Sequence, residues 1–431
     1  MRVLVLGGYG LIGLEILNAL RRTGHTVVGF GRSPDMGRRL APDIPWNHGD
    51  MRRMLRAEDW TNHLSGVEAV VNAAGALQDG AKDDLRAVHD TAIRALLVEC
   101  ERQGVKRIVQ ISAPGANSEA RSAFLATKGA GDAAVRASAL EWTILKPGLV
   151  ITSGAYGGTT LLRMLVAFPL VQPIVLQHAR VQTVAGSDLA NAVCAVLADQ
   201  VLPRREYDLM EDEAHTLRDV LKKFRRWVGR SDALWLAPLP TWLGFALGRV
   251  ADLAGLLGWR SPLRTTALRS IETGVIGDPS PWRDAGGFRL STLDETLRSL
   301  PSTLQERTFG RAQLVLPVLT LTLIAFWLAS GVIGLIRYES ARAVIAPRVG
   351  AEAAQFLVAI GIALDLLIGW CLLWRRWVRR AAWASIAVAF GYLAVGTYLT
   401  PELWVDPLGP FVKVLPAIAL ALAVIALVEE R

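Results

Sequence analysis

The sequence predicts a doubly wound parallel α/β sheet with a small C-terminal lobe, followed by an all-α membrane domain of four helices. In residues 1–200, short apolar runs of strand length alternate with segments of helical periodicity. A glycine-rich turn joins the first apolar run to the first helical segment, and the end of the chain contains long stretches without charges. We therefore divide the chain into a sheet domain at 1–200, a lobe with a linker at 201–310, and a membrane domain at 311–431.

The glycine-rich turn predicts a nucleotide site. The apolar run VLVL is followed by Gly7, Gly10 and Gly13 with G-x-x-G-x-x-G spacing, and LEILNALRR then has the periodicity of a helix. Glycine permits a tight turn, and the lack of a side chain lets a pyrophosphate reach the amide groups at the start of the helix. Between a strand and a helix, this pattern is typical of a Rossmann-like dinucleotide-binding domain.

The end of the second strand, HTVVGF, bears on which cofactor is bound. Sites selective for NAD place Asp or Glu there to hold the ribose hydroxyl groups. This chain has Gly31, Arg32 and Ser33 instead. A guanidinium group matches a 2′-phosphate, so the sequence favours NADP(H) over NAD(H). The alternative is that Arg32 is a solvated charge in a loop.

The next three strands end at polar or small residues. NHGDMRR places Asp50 and Met51 at the end of a third strand, NAAG ends a fourth at 72–75, and RIVQISA ends a fifth at Ser112. The carboxyl ends of parallel strands lie on one edge of a doubly wound sheet and line its ligand crevice. We expect these residues to lie close together at that edge.

Residues 1–200 resemble the atypical branch of the short-chain dehydrogenase/reductase superfamily. The resemblance rests on GGYGLIG, HGDM, NAAG, ISA, FLATK and LEWTILKPGLVI, and it is nearest to NmrA-like proteins and to the nucleotide-binding accessory subunit of respiratory complex I. The long apolar stretches at the end of the chain resemble a DoxX-like membrane domain. Together these resemblances imply a reductase-like domain fused to a membrane protein.

In that superfamily a Tyr-x-x-x-Lys pair acts with a serine. Carried over, Ser112 and Lys128 match the serine and the lysine, and the lysine is expected to hold the nicotinamide ribose. Phe124 stands where the tyrosine is expected, and a phenyl ring cannot transfer a proton, so the usual dehydrogenase mechanism is in doubt. The side chains that remain as candidates to replace the hydroxyl group are Tyr9, Arg121, Ser122 and Tyr156.

The glycine turn and the resemblance together give a set of expected cofactor contacts along the carboxyl edge of the sheet. Their members come from the first turn, the strand ends and the helix that carries the lysine. They are Gly7, Tyr9, Gly10, Leu11, Ile12, Gly13, Arg32, Ser33, Asp50, Met51, Ala73, Ala74, Gly75, Ser112, Lys128, Pro147 and Gly148.

Between the two predicted domains, residues 234–259 are strongly apolar and rich in tryptophan. Arg249 and Asp252 fall in the middle of this segment and argue against a transmembrane helix. Tryptophans at the ends of an apolar helix are typical of a membrane interface. We expect either an interfacial helix over 240–258, which passes a lipophilic substrate to the crevice, or a packed helix of the lobe.

Four apolar stretches at 314–336, 356–374, 381–399 and 414–428 predict the membrane spans. The cluster RRWVRR between the second and third stretches is expected to stay in the cytoplasm. This places both termini on the cytoplasmic side of an inner membrane, and no signal peptide precedes the first strand. The alternative is a buried bundle of a soluble protein, which would show a polar face.

Asp365 is the one charged residue in these four stretches. A carboxylate in the middle of a membrane helix is costly and usually faces a polar partner or a wet cavity. We expect either a role with protons or a quinone, or a structural hydrogen bond to Ser330, Tyr392 or Thr397.

Composition excludes two other classes of site. The formal net charge is +8, but the basic residues are scattered, so no nucleic-acid surface is expected. The three cysteines Cys100, Cys194 and Cys371 are far apart and form neither a metal nor a disulfide pattern.

The leading hypothesis is a membrane-anchored reductase that binds NADP(H), faces the cytoplasm and transfers hydride to a lipophilic substrate or a quinone. The alternative is a non-catalytic NADP(H)-binding module that stabilises or regulates a membrane complex. A transporter or channel regulated by a nucleotide-binding domain is a third hypothesis, supported by Asp365 alone.

Overall fold

The computed structural model describes residues 1–80, 83–232, 235–259, 261–407 and 409–428. The chain forms two compact units. The first unit consists of Met1–Leu253 and Ser261–Arg307, and the second of Ala254–Arg260 and Thr308–Arg431. The predicted boundaries at 200 and 310 stay predictions.

The centre of the first unit is a seven-stranded sheet in which all strand pairs are parallel. The strands of the unit are β1 Arg2–Leu6, β2 Thr26–Gly31, β3 Trp46–His48, β4 Ala69–Asn72, β5 Arg107–Ile111, β6 Glu141–Pro147, β7 Leu149–Ile151, β8 Val171–Ile174, β9 Arg180–Val181, β10 Thr183–Ala185, β11 Arg205–Leu209, β12 His215–Thr216 and β13 Trp235–Pro238. The order in the main sheet is β3-β2-β1-β4-β5-β6-β11, so the chain leaves β1 toward both edges and creates a crevice between β1 and β4. This confirms the predicted doubly wound sheet.

Both faces of the sheet are covered by helices. Along β1, Val3 and Val5 belong to the hydrophobic core on one face, and Leu4 and Leu6 to the core on the other. Successive side chains of a strand point to opposite faces, so a continuous apolar run is what a sheet buried on both sides requires. The helices of this unit are α1 Leu11–Arg22, α2 Pro34–Leu40, α3 Thr61–Leu64, α4 Ala92–Gln103, α5 Ala123–Ala137, α6 Gly158–Ala167, α7 Gly186–Leu197, α8 Leu217–Trp227, α9 Thr241–Leu256, α10 Thr265–Glu272, α11 Ser280–Asp284 and α12 Leu293–Ser299.

The segment LEWTILKPGLVI forms two strands in the structure. β6 ends at Pro147, and β7 leaves the main sheet to pair with β10. Gly148 lies at the break, and a Cβ atom there would be 2.5 Å from the carbonyl oxygen of Gln182. The break is therefore possible only with a residue that lacks a side chain.

The lobe has its own core, which includes Leu217, Val220, Leu221 and Phe224 on the inner face of α8. The basic segment LRDVLKKFRRW forms this amphipathic helix. Thr216 caps α8 by accepting a hydrogen bond from the backbone N–H of Asp219.

The second unit is helical: α13 Leu304–Ile336, α14 Tyr338–Val349, α15 Ala351–Leu373, α16 Val378–Leu399 and α17 Val414–Leu427 follow one another. Among the described residues, three helices are long and apolar enough to cross a membrane, namely α13, α15 and α16. The fourth predicted span forms α17, which has 14 residues. Such a helix is about 21 Å long, less than the roughly 30 Å of a hydrocarbon core, so a fourth crossing stays a prediction. Helix α14 was not predicted.

Candidate functional site

The glycine turn forms a cradle between β1 and α1. Gly7 has φ +70°, and a Cβ atom there would lie 2.8 Å from the Cα atom of Ala74, because the chain after β4 passes directly beside the turn. The N–H of Gly10 donates to the carbonyl of Gly7 at 2.8 Å. A Cβ atom on Gly13 would lie 2.2 Å from that same carbonyl oxygen. The first amide groups of α1 have no acceptor within the helix, so the cradle is suited to an anion such as a pyrophosphate.

Tyr9 lies on the β2 side of this cradle. Its ring packs over Gly31 so closely that a Cβ atom on Gly31 would lie 2.4 Å from Tyr9 Cε1. Strands β1 and β4 separate that position from the end of β5, where Ser112 lies. This argues against Tyr9 as a replacement for the missing hydroxyl group. Leu11 and Ile12 begin α1 beside the same turn.

Arg32 follows β2 as predicted, and its guanidinium group forms an ion pair with Asp83 at 3.0 Å. Both side chains are partly exposed. A 2′-phosphate at this position would therefore meet a guanidinium group that already has a carboxylate partner. Ser33 lies next in the chain and immediately precedes α2.

Asp50 and Met51 follow β3. The carboxylate of Asp50 accepts hydrogen bonds from Arg52 Nε at 3.1 Å and Arg52 Nη2 at 2.5 Å. These bonds lower the pKa of Asp50 below its ordinary value, so Asp50 is ionised and held in one orientation. Met51 is buried in the core on one face of the sheet.

The turn after β4 is held by a buried pair of amide side chains. Asn72 donates to Gln110 Oε1 at 2.8 Å, and the N–H of Ala74 donates to Asn72 Oδ1 at 3.1 Å. The N–H of Ala73 donates to the carbonyl of Leu6, the last residue of β1, at 3.1 Å. These bonds fix the backbone of the crevice floor.

Ser112 and Lys128 meet at the end of β5, together with Asp132. Lys128 is buried, and its Nζ donates to the carbonyl of Ile111 at 2.8 Å. The hydroxyl group of Ser112 donates to the carboxylate of Asp132, which is also buried. Burial lowers the pKa of Lys128 to about 8, with Asp132 opposing the shift, and burial raises the pKa of Asp132. The ammonium group of Lys128 can therefore release its proton closer to neutral pH than an ordinary lysine does.

His89 and Phe124 occupy the position where the tyrosine was expected. Their ring centroids are 5.8 Å apart in an edge-to-face arrangement. His89 Nε2 accepts from the N–H of Ala76 at 3.1 Å, so the proton of a neutral ring is on Nδ1, which lies 3.0 Å from Thr127 Oγ1. Burial, and secondarily the charge of Lys128, holds the pKa of His89 well below its ordinary value. The imidazole is therefore neutral, and both of its nitrogens are engaged.

The structure brings some of the predicted residues together and leaves others apart. Gly75 completes the group around the lysine, since a Cβ atom there would lie 3.4 Å from both Lys128 Nζ and His89 Nε2. Pro147 ends β6 at the same edge of the sheet. Tyr156 lies in the loop before α6, where about half of its surface is exposed.

Two residues of this group were missed from the sequence. Asp132 follows Lys128 by four residues, so helical spacing alone places the two side chains on one face of α5. No local sequence pattern relates His89 to Lys128, because His89 reaches the site from a short π-helical turn, Ala87–Thr91, that packs on α5. A Cβ atom on Gly131 would lie 2.0 Å from the carbonyl oxygen of His89, so this glycine permits the approach.

A pH-dependent stability follows from Lys128. Its folded pKa of about 8 lies below the ordinary value of 10.5, so between these values the unfolded chain holds a proton that the folded chain lacks. The free energy of unfolding should therefore rise with pH across this window, by roughly 3 kcal/mol relative to the Lys128→Met variant. Pulse proteolysis of the full chain in nanodiscs at increasing urea measures this free energy of unfolding at each pH. Parallel pH profiles for the two proteins would show that this lysine is not buried.

The predicted polar site of the second unit is well formed. Asp365 is buried in α15 and accepts hydrogen bonds from Ser330 at 2.5 Å and Tyr392 at 2.6 Å. Tyr392 Oη is also 3.0 Å from the carbonyl oxygen of Gly361. Two of the three predicted partners are confirmed, whereas the hydroxyl group of Thr397 donates to the carbonyl of Leu393. Within the described ranges, no group of three or more His, Cys, Asp or Glu residues could hold a metal ion.

Comparison with known proteins identifies both parts of the chain. Residues 7–200 match the model of an NAD(P)H-binding family, and residues 324–422 match the model of the DoxX-like family. The sterol demethylase protein B of Methylococcus capsulatus is 31% identical over 119 residues, which are 27% of this chain and 35% of that protein. The chain thus spans about a third of the length of this curated relative.

Solved structures with the same fold include sugar-nucleotide enzymes. The UDP-glucose 4-epimerase of Thermus thermophilus, in complex with NAD, is 20% identical with a TM-score of 0.53, and the match covers 72% of this chain and 99% of that one. The dTDP-glucose 4,6-dehydratase of Bacillus anthracis str. Ames is 12% identical with a TM-score of 0.53, covering 72% and 96%. At these identities the likeness shows the fold. The family matches confirm a nicotinamide-nucleotide domain followed by a DoxX-like domain.

Proposed function

We propose that this chain, an NAD(P)H-binding domain continued by a DoxX-like membrane domain, is a membrane-anchored oxidoreductase. It binds NADP(H) in preference to NAD(H) and reduces a lipophilic substrate or a quinone. The observation that carries the proposal is the buried group of Ser112, Lys128 and Asp132 at the edge of a Rossmann-like crevice, in a polypeptide that continues into long apolar helices.

The cofactor's parts correspond to parts of the crevice. The amide groups at the start of α1 are suited to the pyrophosphate, Arg32 to a 2′-phosphate, and Lys128 to the nicotinamide ribose. When bound, the reduced nicotinamide supplies the hydride. Ser112 is suited to orient the oxygen atom of the acceptor, and the charge of Lys128, whose pKa is about 8, is suited to stabilise negative charge that develops on that oxygen.

Phe124 restricts the kind of acceptor. A simple carbonyl needs a proton on oxygen as the hydride arrives, and a phenyl ring cannot give one. A quinone takes up a hydride and one proton to become a quinol, and it can accept that proton from water. The missing tyrosine therefore supports an acceptor that does not depend on a protein hydroxyl group.

The polar site around Asp365 belongs to the same proposal. Its two hydroxyl partners, Ser330 and Tyr392, come from α13 and α16, so the carboxyl group lies among three helices. We propose that it takes part in the handling of protons or of a quinone. If so, Asp365→Asn should slow quinone reduction without weakening NADPH binding, whereas a purely structural role would leave the rate of the folded protein unchanged.

Orientation in the membrane is proposed from the basic cluster. Arg375 packs over Trp259, and Arg376 packs over Trp374 and Trp377. Arginine and tryptophan in this arrangement favour the cytoplasmic surface of an inner membrane. With two crossings before this cluster and two predicted after it, the proposal puts the N-terminal domain and the C-terminus in the cytoplasm as well.

A second function is favoured by the crowding at the tyrosine position. Phe124 fills it, and both ring nitrogens of His89 are already bonded. In that case the chain is a non-catalytic NADP(H)-binding module that stabilises or regulates a membrane complex.

The test measures binding and oxidation separately. Full-length protein in nanodiscs is titrated with NADPH and with NADH, and oxidation is followed with quinones of increasing chain length. We expect oxidation that depends on quinone and falls in the Lys128→Met variant. Tight NADPH binding without oxidation by any quinone would support the second function instead.

A further inference from the structure

Helix α9 turns its small residues toward the protein, whereas a surface helix of a soluble protein turns large apolar residues that way. Its glycines face the protein: a Cβ atom on Gly244 would lie 2.8 Å from Val175, and one on Gly248 would lie 3.2 Å from the backbone nitrogen of Thr265. A helix on the surface of a soluble domain normally turns its large apolar side chains to this inner face.

Most of the large apolar side chains of α9 point outward instead. Trp242 is 70% exposed and Leu253 is 65% exposed, at positions eleven residues apart that fall on one stripe of a helix. The remaining large members of the stripe are Val250 and Leu256. Arg249 lies among them and is exposed as well. An apolar stripe of this length marks a surface that is covered by something other than water.

The segment that follows α9 is held at the end of an apolar helix. After the helix, Trp259 Nε1 donates to the carbonyl of Leu373 at 2.7 Å, and the N–H of Arg375 donates to the carbonyl of Leu257 at 3.0 Å. Leu373 is the last residue of α15, one of the helices long enough to cross a membrane. The chain leaving α9 is therefore fixed at the level where that span ends, among the tryptophan and arginine side chains typical of a bilayer surface.

We infer that α9 lies in the surface of the bilayer, with its outward stripe in the boundary between lipid headgroups and acyl chains. Trp242 and Leu253 contact the acyl region, and Arg249 extends from the stripe to a lipid phosphate. The glycine face permits this arrangement, because it lets the helix pack closely on the lobe while the side chains of the stripe stay exposed. This inference rests on membrane association and not on the reductase activity.

Depth-dependent quenching tests the inference on the full chain. In a background in which Cys371 is replaced by alanine, an environment-sensitive fluorophore is attached to Leu253→Cys or, as a matched control, to Val98→Cys on α4, another exposed apolar residue of a helix. The proteins are reconstituted in nanodiscs whose lipids carry a nitroxide near the headgroup. We expect a blue-shifted probe at 253 that loses most of its emission to the nitroxide lipid, and an unquenched probe at 98.

Other outcomes overturn the inference. Equal emission and equal quenching at both positions would place α9 in water. Shielding at 253 that depends on the number of protein copies per disc, and not on the quencher, would assign the stripe to a second copy of the chain. Trp242→Glu should reduce the quenching at 253 while NADPH binding stays unchanged, and a lack of NADPH oxidation would leave this result intact.

Discussion

Replacing Gly13 by alanine is expected to abolish binding of the nicotinamide nucleotide. The new Cβ atom would lie 2.2 Å from the carbonyl oxygen of Gly7, which is backbone and cannot rotate away. Either Gly7 or the start of α1 must shift, and both form the cradle for the pyrophosphate. Isothermal titration of the full chain with NADPH should show at least a hundredfold loss of affinity, about 3 kcal/mol.

The control for this variant is Gly80→Ala. Within the described part of the chain, no atom lies within 4 Å of a Cβ added at Gly80, and its φ is not positive, so the substitution should leave affinity unchanged. Retention of NADPH affinity by a folded Gly13→Ala protein would contradict the placement of the pyrophosphate at the start of α1.

Reversing the charge of Arg32 is expected to convert the cofactor preference. Arg32→Glu should weaken NADPH by roughly 10- to 100-fold, since it replaces a charge-assisted bond to the 2′-phosphate by repulsion. NADH lacks that phosphate and should be affected little. Titration of both nucleotides against the same preparation gives the ratio.

Replacing Asp83, the partner of Arg32, should have the opposite effect on NADPH affinity. Asp83 holds the Arg32 guanidinium at 3.0 Å and competes with a phosphate for it. Asp83→Asn should therefore strengthen NADPH binding without changing NADH binding. An equal loss of both nucleotides in Arg32→Glu, or no gain in Asp83→Asn, would remove the assignment of NADP(H).

The sheet and its crevice could be predicted because their signals are local. Apolar runs of strand length, glycines at fixed spacing and a lysine four residues after Phe124 each act within a single turn or strand. The long apolar helices were predicted for the same reason, since the length of an uncharged stretch is read directly from the chain.

What sequence reasoning missed depends on contacts between distant segments. The partner of Arg32 lies beyond two further strands, and His89 reaches Lys128 from another helix. The break at Gly148 requires knowledge of Gln182, which packs against it. Asp132 is the exception, because its spacing from Lys128 was present in the sequence.

The ring of His89 links two segments of the coenzyme site. It bonds on one side to Ala76, at the end of the crevice floor, and on the other to Thr127, the neighbour of Lys128. These two hydrogen bonds connect the turn after β4 to α5, the helix that carries Lys128, and restrict their relative movement. This side of the coenzyme site is therefore ordered before binding, which lowers the conformational entropy that binding costs.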